Sequence, residues 1–442
     1  MLLIHVPKLT NRLGYTLDVI FKRLLHAEYS ITTDEDYFLQ SGDAKLSYGN
    51  KRLGDNLFIK SQPLLFETTI EEQETHAECR DGQWILFPVY GRGLDFDFDP
   101  LAATFYLVTR YEEYLPHRED EHGRFCPEES LAMQMGFLDQ PVVDQWAMLI
   151  RDKILERFPQ FEMPRRNYRF VQTVDIDAAW RYLHKGVFRS VVGMIRDLFA
   201  RHDPEEVWRR IRVLMHREPD PFDTFDYILE TKKKAPESYL LFFTLLADYG
   251  QYDKPASYLN PHFRQLIQHL GDHAKMGIHP GYGSLENPLR ADIEIKRLED
   301  IIHRPIVRSR YHFLRLKLPL SYRILQHAGI KHDYTMGYAD VAGFRAGISV
   351  PYPFYDLERD HEEDLLIHPF SVMDTTLKKY LKLSPEEGLE EYKRIIDRVR
   401  KVNGIFSCIV HNQNLMELEG WAGWKETYEK MVEYAGNKDL TT

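Results

Sequence analysis

The rhythm of apolar and polar positions changes along this chain. Leu13, Leu17, Ile20 and Leu24 share one side of residues 11–26, the spacing of an amphipathic helix. Short strand-like pieces between Gly and Asp turns fill 31–69, and WILFPVY at 84–90 is long enough for a buried strand. LAATFYLVTRYEEYL and residues 144–158 return to a helical pattern, separated by the charged loop HREDEHGRF, which is expected to be exposed. Residues 1–160 therefore read as an α+β domain, with 159–166 as a linker. From 167 the pattern becomes strand, helix, strand, helix. Strands are predicted at 169–176, 239–246, 274–279, 306–314, 332–334 and 405–411, with helices at 288–302, 321–327 and 385–402 among those between them. That alternation predicts a parallel sheet covered by helices, as a barrel or a doubly wound sheet. Residues 185–234 are too many for one crossover helix, so they form either a lid or a plain elaboration.

Chemistry gathers at the carboxyl ends of such strands. The first predicted strand ends in VQTVDIDAAW, residues 171–180. Asp175 and Asp177 are two apart, so both can point the same way. Two carboxylates held together repel unless a cation or a shared proton intervenes. The competing reading is that Asp177 caps a helix beginning at AAWRYLH. A second acidic run, GRGLDFDFDP at 91–100, could hold a metal, but Asp99 capping a helix with Pro100 in its first turn is the favoured reading.

Four more stations follow. His279 stands before a Pro-Gly turn in GIHPGYGS. Arg308, Arg310 and His312 alternate in RSRYHFLR, on one face if the strand runs through them. HDYTMGYADVAGFRAG is Gly-rich and irregular, with Asp333 and Arg345 able to pair. His411 ends the apolar strand before NQNL. One Asp with two His makes a metal site with positions left for water, as hydrolytic zinc enzymes use. A metal lowers the pKa of its water and polarises a carbonyl, leaving a free carboxylate as base and a remaining His as acid. The set suggests metal-assisted hydrolysis.

In this order the stations resemble the polysaccharide deacetylases of the NodB-homology group, carbohydrate esterase family four, over about 168–436. GIKHDYTMGYADVAGFRAG, HPFSVMDTTL and IVHNQNL…GWKETYEK are similar, more closely, to a bacterial subgroup with an extra N-terminal domain, which FYLVTRYEEYL, HGRF and QPVVDQWA resemble. The resemblance implies a distorted (β/α) barrel at 167–436, an accessory domain of unassigned role at 1–160, and hydrolysis of an acetyl group on an amino sugar or glycan. It implies Asp175 as general base and Asp177 as metal ligand, or the reverse since Ile176 separates them, with His279 as a metal ligand, Arg310 as the residue orienting the base, and His411 as the acid. Zn is the expected ion, with Co, Ni or Mn as others of similar preference. Tyr282, Asp333 and Arg345 are the candidates for contacting substrate, with a backbone N–H near Tyr282 for the oxyanion. Two departures stand out. Gly283 occupies the place of the family's second metal histidine, and Tyr311 and His312 replace its Arg-x-Pro continuation. His312 is expected to supply the missing imidazole. A degenerate, sugar-binding or scaffold protein without turnover is the rival reading.

The bulk numbers narrow the partners. A net charge of −11 disfavours non-specific binding to nucleic acid or an anionic membrane. Three distant cysteines without zinc-knuckle spacing fit a reducing compartment, and no signal peptide or spanning segment is legible, so a cytoplasmic location is expected.

Overall fold

The computed structural model describes residues 1–186, 191–192, 194–195, 204–418 and 420–437. It is a mixed α/β molecule built on parallel sheets.

The N-terminal part carries β1 (Leu2–His5), β2 (Tyr29–Thr32), β3 (Ala44–Gly49) and β4 (Leu57–Lys60) in the order β2-β1-β3-β4. All three pairings are parallel, where an α+β arrangement was expected. The reason is in the links. The helix Asn11–Leu17, continued by a wider turn Asp18–Leu24, carries the chain from β1 back to a parallel β2. β5 (Ala77–Arg80) and β6 (Gln83–Leu86) make a small antiparallel pair, so only the first part of WILFPVY is strand. Asp99 caps the helix Pro100–Val108 by accepting from the Leu101 and Ala102 N–H groups, with Pro100 in the first turn as its fixed φ favours. Asp95 and Asp97 pair instead with Arg52 and Arg80, so the acidic run is not a metal site.

The larger sheet comprises β7 (Arg169–Ile176), β8 (Tyr239–Thr244), β9 (Lys275–Ile278), β10 (Arg308–Ser309), β11 (His332–Asp333), β12 (Tyr352–Asp356), β13 (His361–Ile367), β14 (Val372–Met373) and β15 (Ile405–His411). Its order is β12-β13-β11-β10-β9-β8-β7-β15-β14, parallel except for β12 against β13. Among the described residues ladder pairing does not run all the way round, so the distorted (β/α) barrel expected here is not shown. The two ends are nevertheless brought together by one segment. The His368 N–H donates to Asp333 O beside β11, the Phe370 N–H to Met336 O, and the Ser371 N–H to Ser407 O on β15. Helices such as Pro261–His273, Leu289–Ile302 and Pro385–Lys401 connect the strands, the last opening with a Ser384–Glu387 capping box. Of the 185–234 insertion, the helices Pro204–Leu214 and Phe225–Lys232 are described, and residues 187–190, 193 and 196–203 lie outside the described residues.

The two parts share one hydrophobic cluster that runs from Leu2 to Ala435. Polar contacts cross the same seam. The Tyr15 hydroxyl donates to Pro353 O at 2.8 Å, and Arg12 pairs with Asp360 at 3.0 Å. These contacts set the helix Asn11–Leu17 against β12 and against the turn that leads into β13.

Candidate metal centre

β7 alternates because its two faces differ. Phe170, Val174 and Ile176 are buried in the main apolar cluster, while Asp175 belongs to the opposite set. The described residues 178–186 after Asp177 form no helix, so the capping alternative fails. Asp177 sits just past the strand end with its side chain about one-fifth exposed, at 21%. His279 follows β9 and Arg310 follows β10. β10 stops at Ser309, earlier than expected, and His312 begins a short 3-10 turn, His312–Leu314. Arg310 and His312 still reach the centre, whereas Arg308 faces a cavity at the opposite ends of the strands.

Asp177, His279 and His312 present ligand atoms that all lie within 4.8 Å of one another. His279 Nε2 is 3.4 Å from Asp177 Oδ1, and His312 Nε2 is 3.7 Å from the same oxygen. Each imidazole is held from behind. His279 Nδ1 lies 2.5 Å from the carbonyl of Arg310, and His312 Nδ1 lies 2.7 Å from Asp253 Oδ1. Both Nε2 atoms are therefore left free to coordinate, the usual support for metal-binding histidines. Asp177 Oδ1 is buried and has no hydrogen-bond partner. A buried carboxylate oxygen left without a donor is costly. Its position between two aimed imidazoles fits a divalent cation. Burial alone would raise Asp177, but His312, His279 and His411 around it hold its carboxyl far below the usual range. Burial would likewise raise Asp253, and His312 together with the Tyr282 N–H brings it down.

Two further groups flank this triad. Arg310 is fully buried, stacks over the Phe243 ring at 4.5 Å, and donates to Asp175 Oδ1 at 2.7 Å. Asp175 Oδ2 then lies 3.8 Å from His279 Nε2. Gly277 permits this layer, because a Cβ there would collide with the Phe243 ring. On the other side, His411 Nε2 stands 3.8 Å from Asp177 Oδ2. Its Nδ1 lies 2.8 Å from Asp374, which also accepts from the His411 N–H at 2.8 Å and from Asn414 at 3.0 Å. Burial lowers the His411 pKa, but the Asp374 charge and hydrogen bond outweigh it and push it up to about 9.

Tyr282 stands at the rim, half-buried. It stacks on Tyr252 at 4.0 Å and meets Phe313 edge-on at 5.4 Å, and Phe313 packs on His312 at 4.6 Å. His122, from the charged loop expected to be exposed, completes this aromatic wall, 4.8 Å from Phe313 and 3.2 Å from the Tyr282 hydroxyl. The Tyr282 N–H is bound to Asp253, so it is not a free oxyanion donor as expected. A Cβ at Gly283 would run into Arg290, so this position points away from the ligand set.

Two expected substrate contacts lie elsewhere. Asp333 is fully buried and accepts from the Thr335 N–H and hydroxyl, each at 2.8 Å. Arg345 does not pair with it. Its guanidinium lies 2.7 Å from Glu113 of the N-terminal part, and Arg110 binds the same carboxylate at 2.7 Å. Both charges are internal to the fold. Asp253, Asp374 and His122 were not singled out from sequence. Asp374 and His122 had a visible signal, since they stand within HPFSVMDTTL and HGRF.

Residues 2–159 match the model of a family of unknown function, DUF7033. No curated protein matches the chain. Among solved structures, a protein from Mycobacterium smegmatis described as a polysaccharide deacetylase aligns at TM-score 0.41 and 14% identity, over 62% of this chain and 86% of its own. A polysaccharide deacetylase from Bacillus cereus aligns at TM-score 0.27 and 9% identity, over 62% of this chain and 89% of its own.

Proposed function

We propose that this chain is a metal-dependent deacetylase that hydrolyses an N-acetyl group on an amino sugar, glycan or glycan precursor, with O-acetyl esters as a related substrate class. The observation that carries the reading is the arrangement around Asp177. Two imidazoles with fixed tautomers face its unpaired oxygen, an arginine-held aspartate lies on one side, and an aspartate-held histidine on the other.

Asp177, His279 and His312 would hold the ion, and the N2O donor set suits Zn, with Co, Ni or Mn as competitors. When bound, such an ion supplies an acidified water and a polarised acyl oxygen. The remaining steps belong to the chain. Asp175, kept in place by Arg310, takes the proton of the attacking water through Oδ2. His411, positively charged in the metal-free protein at neutral pH, passes a proton to the departing nitrogen. Asp374 keeps the Nε2 edge of that ring turned toward the centre. The wall of Tyr252, Tyr282, Phe313 and His122 offers apolar ring faces and polar rims for a sugar ring.

His312, in reach of Asp177, offers the imidazole that Gly283 lacks, which supports turnover over the rival reading. The test is metal analysis of the purified chain beside its His312→Ala variant, together with assays on acetylated amino sugars. About one equivalent of metal in the parent, lost in the variant along with deacetylation, is the expected result. A parent without metal after supplementation at neutral pH, or an unchanged variant, would overturn it.

A further inference from the structure

A cavity of about 260 Å³ opens at the amino ends of the same strands, opposite the metal centre. It is lined by Arg169 of β7, Lys275 of β9 and Arg308 of β10, with His332 and His368 beside them. Among the described residues no carboxylate pairs with any of these three cations, although the whole chain carries a net charge of −11. Asp144, which touches the wall through Ser349, is already held by Arg166 at 2.9 Å. The floor is apolar. Leu241 is buried with Phe243 and Tyr334, Val171 packs partly buried against them, and Arg310 lies over the Phe243 ring at 4.5 Å, so this layer stands between the cavity and the metal centre. Tyr334 stacks on His368 at 4.2 Å, and His368 Nε2 lies 3.0 Å from His332 Nδ1. Burial and the nearby Arg308 charge hold both histidines below their ordinary range, so neither adds a positive charge of its own.

We propose that this cavity binds a small organic anion, with a carboxylate or phosphoryl head on Arg308 and Lys275 and an apolar body against Val171 and Leu241. Unpaired cations over an apolar floor match that ligand on both counts: the head gains charge-assisted hydrogen bonds, and the body leaves water. Inorganic phosphate would satisfy only the first. The site is independent of the deacetylase reading, since no metal ligand lines it.

The test is calorimetric titration of the full chain with phenyl phosphate, benzoate and inorganic phosphate. Arg308→Gln, Lys275→Gln and His312→Ala variants are run beside it. Arg308 and Lys275 make no ion pair among the described residues, so their neutral variants should keep the parent's melting temperature and metal content. At least one organic anion should bind once per chain, at least tenfold tighter than inorganic phosphate. Arg308→Gln should weaken it at least tenfold and Lys275→Gln measurably, with His312→Ala unchanged. Which head binds tighter separates carboxylate from phosphoryl ligands. Absence of binding, equal binding of inorganic phosphate, equal affinity in Arg308→Gln, or loss in His312→Ala would each overturn the proposal.

Discussion

Asp253 Oδ1 lies 2.7 Å from His312 Nδ1, and this one contact leaves the Nε2 of His312 free on the side of Asp177. The 3-10 turn places the ring, and the carboxylate fixes which nitrogen faces Asp177. Removing such a partner typically weakens metal binding about 10–100-fold. Asp253→Ala should therefore lower metal affinity by that amount in a competition titration, while His312→Ala abolishes stoichiometric binding. Equal affinity in Asp253→Ala and the parent would show that the ring needs no support.

Asp374 holds the His411 ring as Asp253 holds that of His312. It binds both the ring and the backbone N–H of the same residue. Asp374→Asn should reduce the deacetylation rate by about 10²-fold, the range for loss of a positioned acid, while metal content stays at the parent level. A variant that loses metal and rate together would assign Asp374 to the fold of the centre instead.

The aromatic wall makes a different kind of prediction. Tyr252 is 38% exposed, so its removal leaves no large buried void. Stacking contacts of this type contribute about 0.5–1.5 kcal/mol. Tyr252→Ala should raise KM about 2–12-fold with little change in kcat, on an acetylated sugar long enough to reach the rim. A fall in kcat at constant KM would exclude a binding role.

Glu113 sits between Arg110 and Arg345, with all three side chains almost fully buried. Burial alone would raise Glu113, yet the two guanidinium groups pull it down to about 2. The folded state thus holds fewer protons on this group than the unfolded chain between pH 2 and the ordinary glutamate value. Stability from this group is complete above about 4.5 and is lost as pH falls through about 2. Glu113→Gln leaves two buried cations under-paired, an effect of about 3–5 kcal/mol, and should lower the melting temperature at neutral pH. Unfolding monitored from pH 5 to pH 2 should show a shallower pH slope in the variant than in the parent.

The sequence by itself determined the features that depend on local rhythm. Alternation in 169–176 and the apolar run in 405–411 located the two strands whose ends carry Asp175 and His411, and both strands form over those very residues. The same local reading placed Asp177 and His279 at strand ends and found the Asp99 cap. Tertiary structure decided the partners. Asp253 stands 59 positions from His312, Asp374 stands 37 from His411, and Glu113 stands 232 from Arg345. Asp333 and Arg345 looked like a pair because they are near in sequence, yet the buried guanidinium found its carboxylate in the N-terminal part. His122 was read as part of a solvated loop, since charge density alone cannot show which surface a loop lies on. Side-chain alternation is imposed within a strand by the backbone itself, so it is written in consecutive residues. A hydrogen bond between loops depends on where packing brings distant segments, and no local period records it.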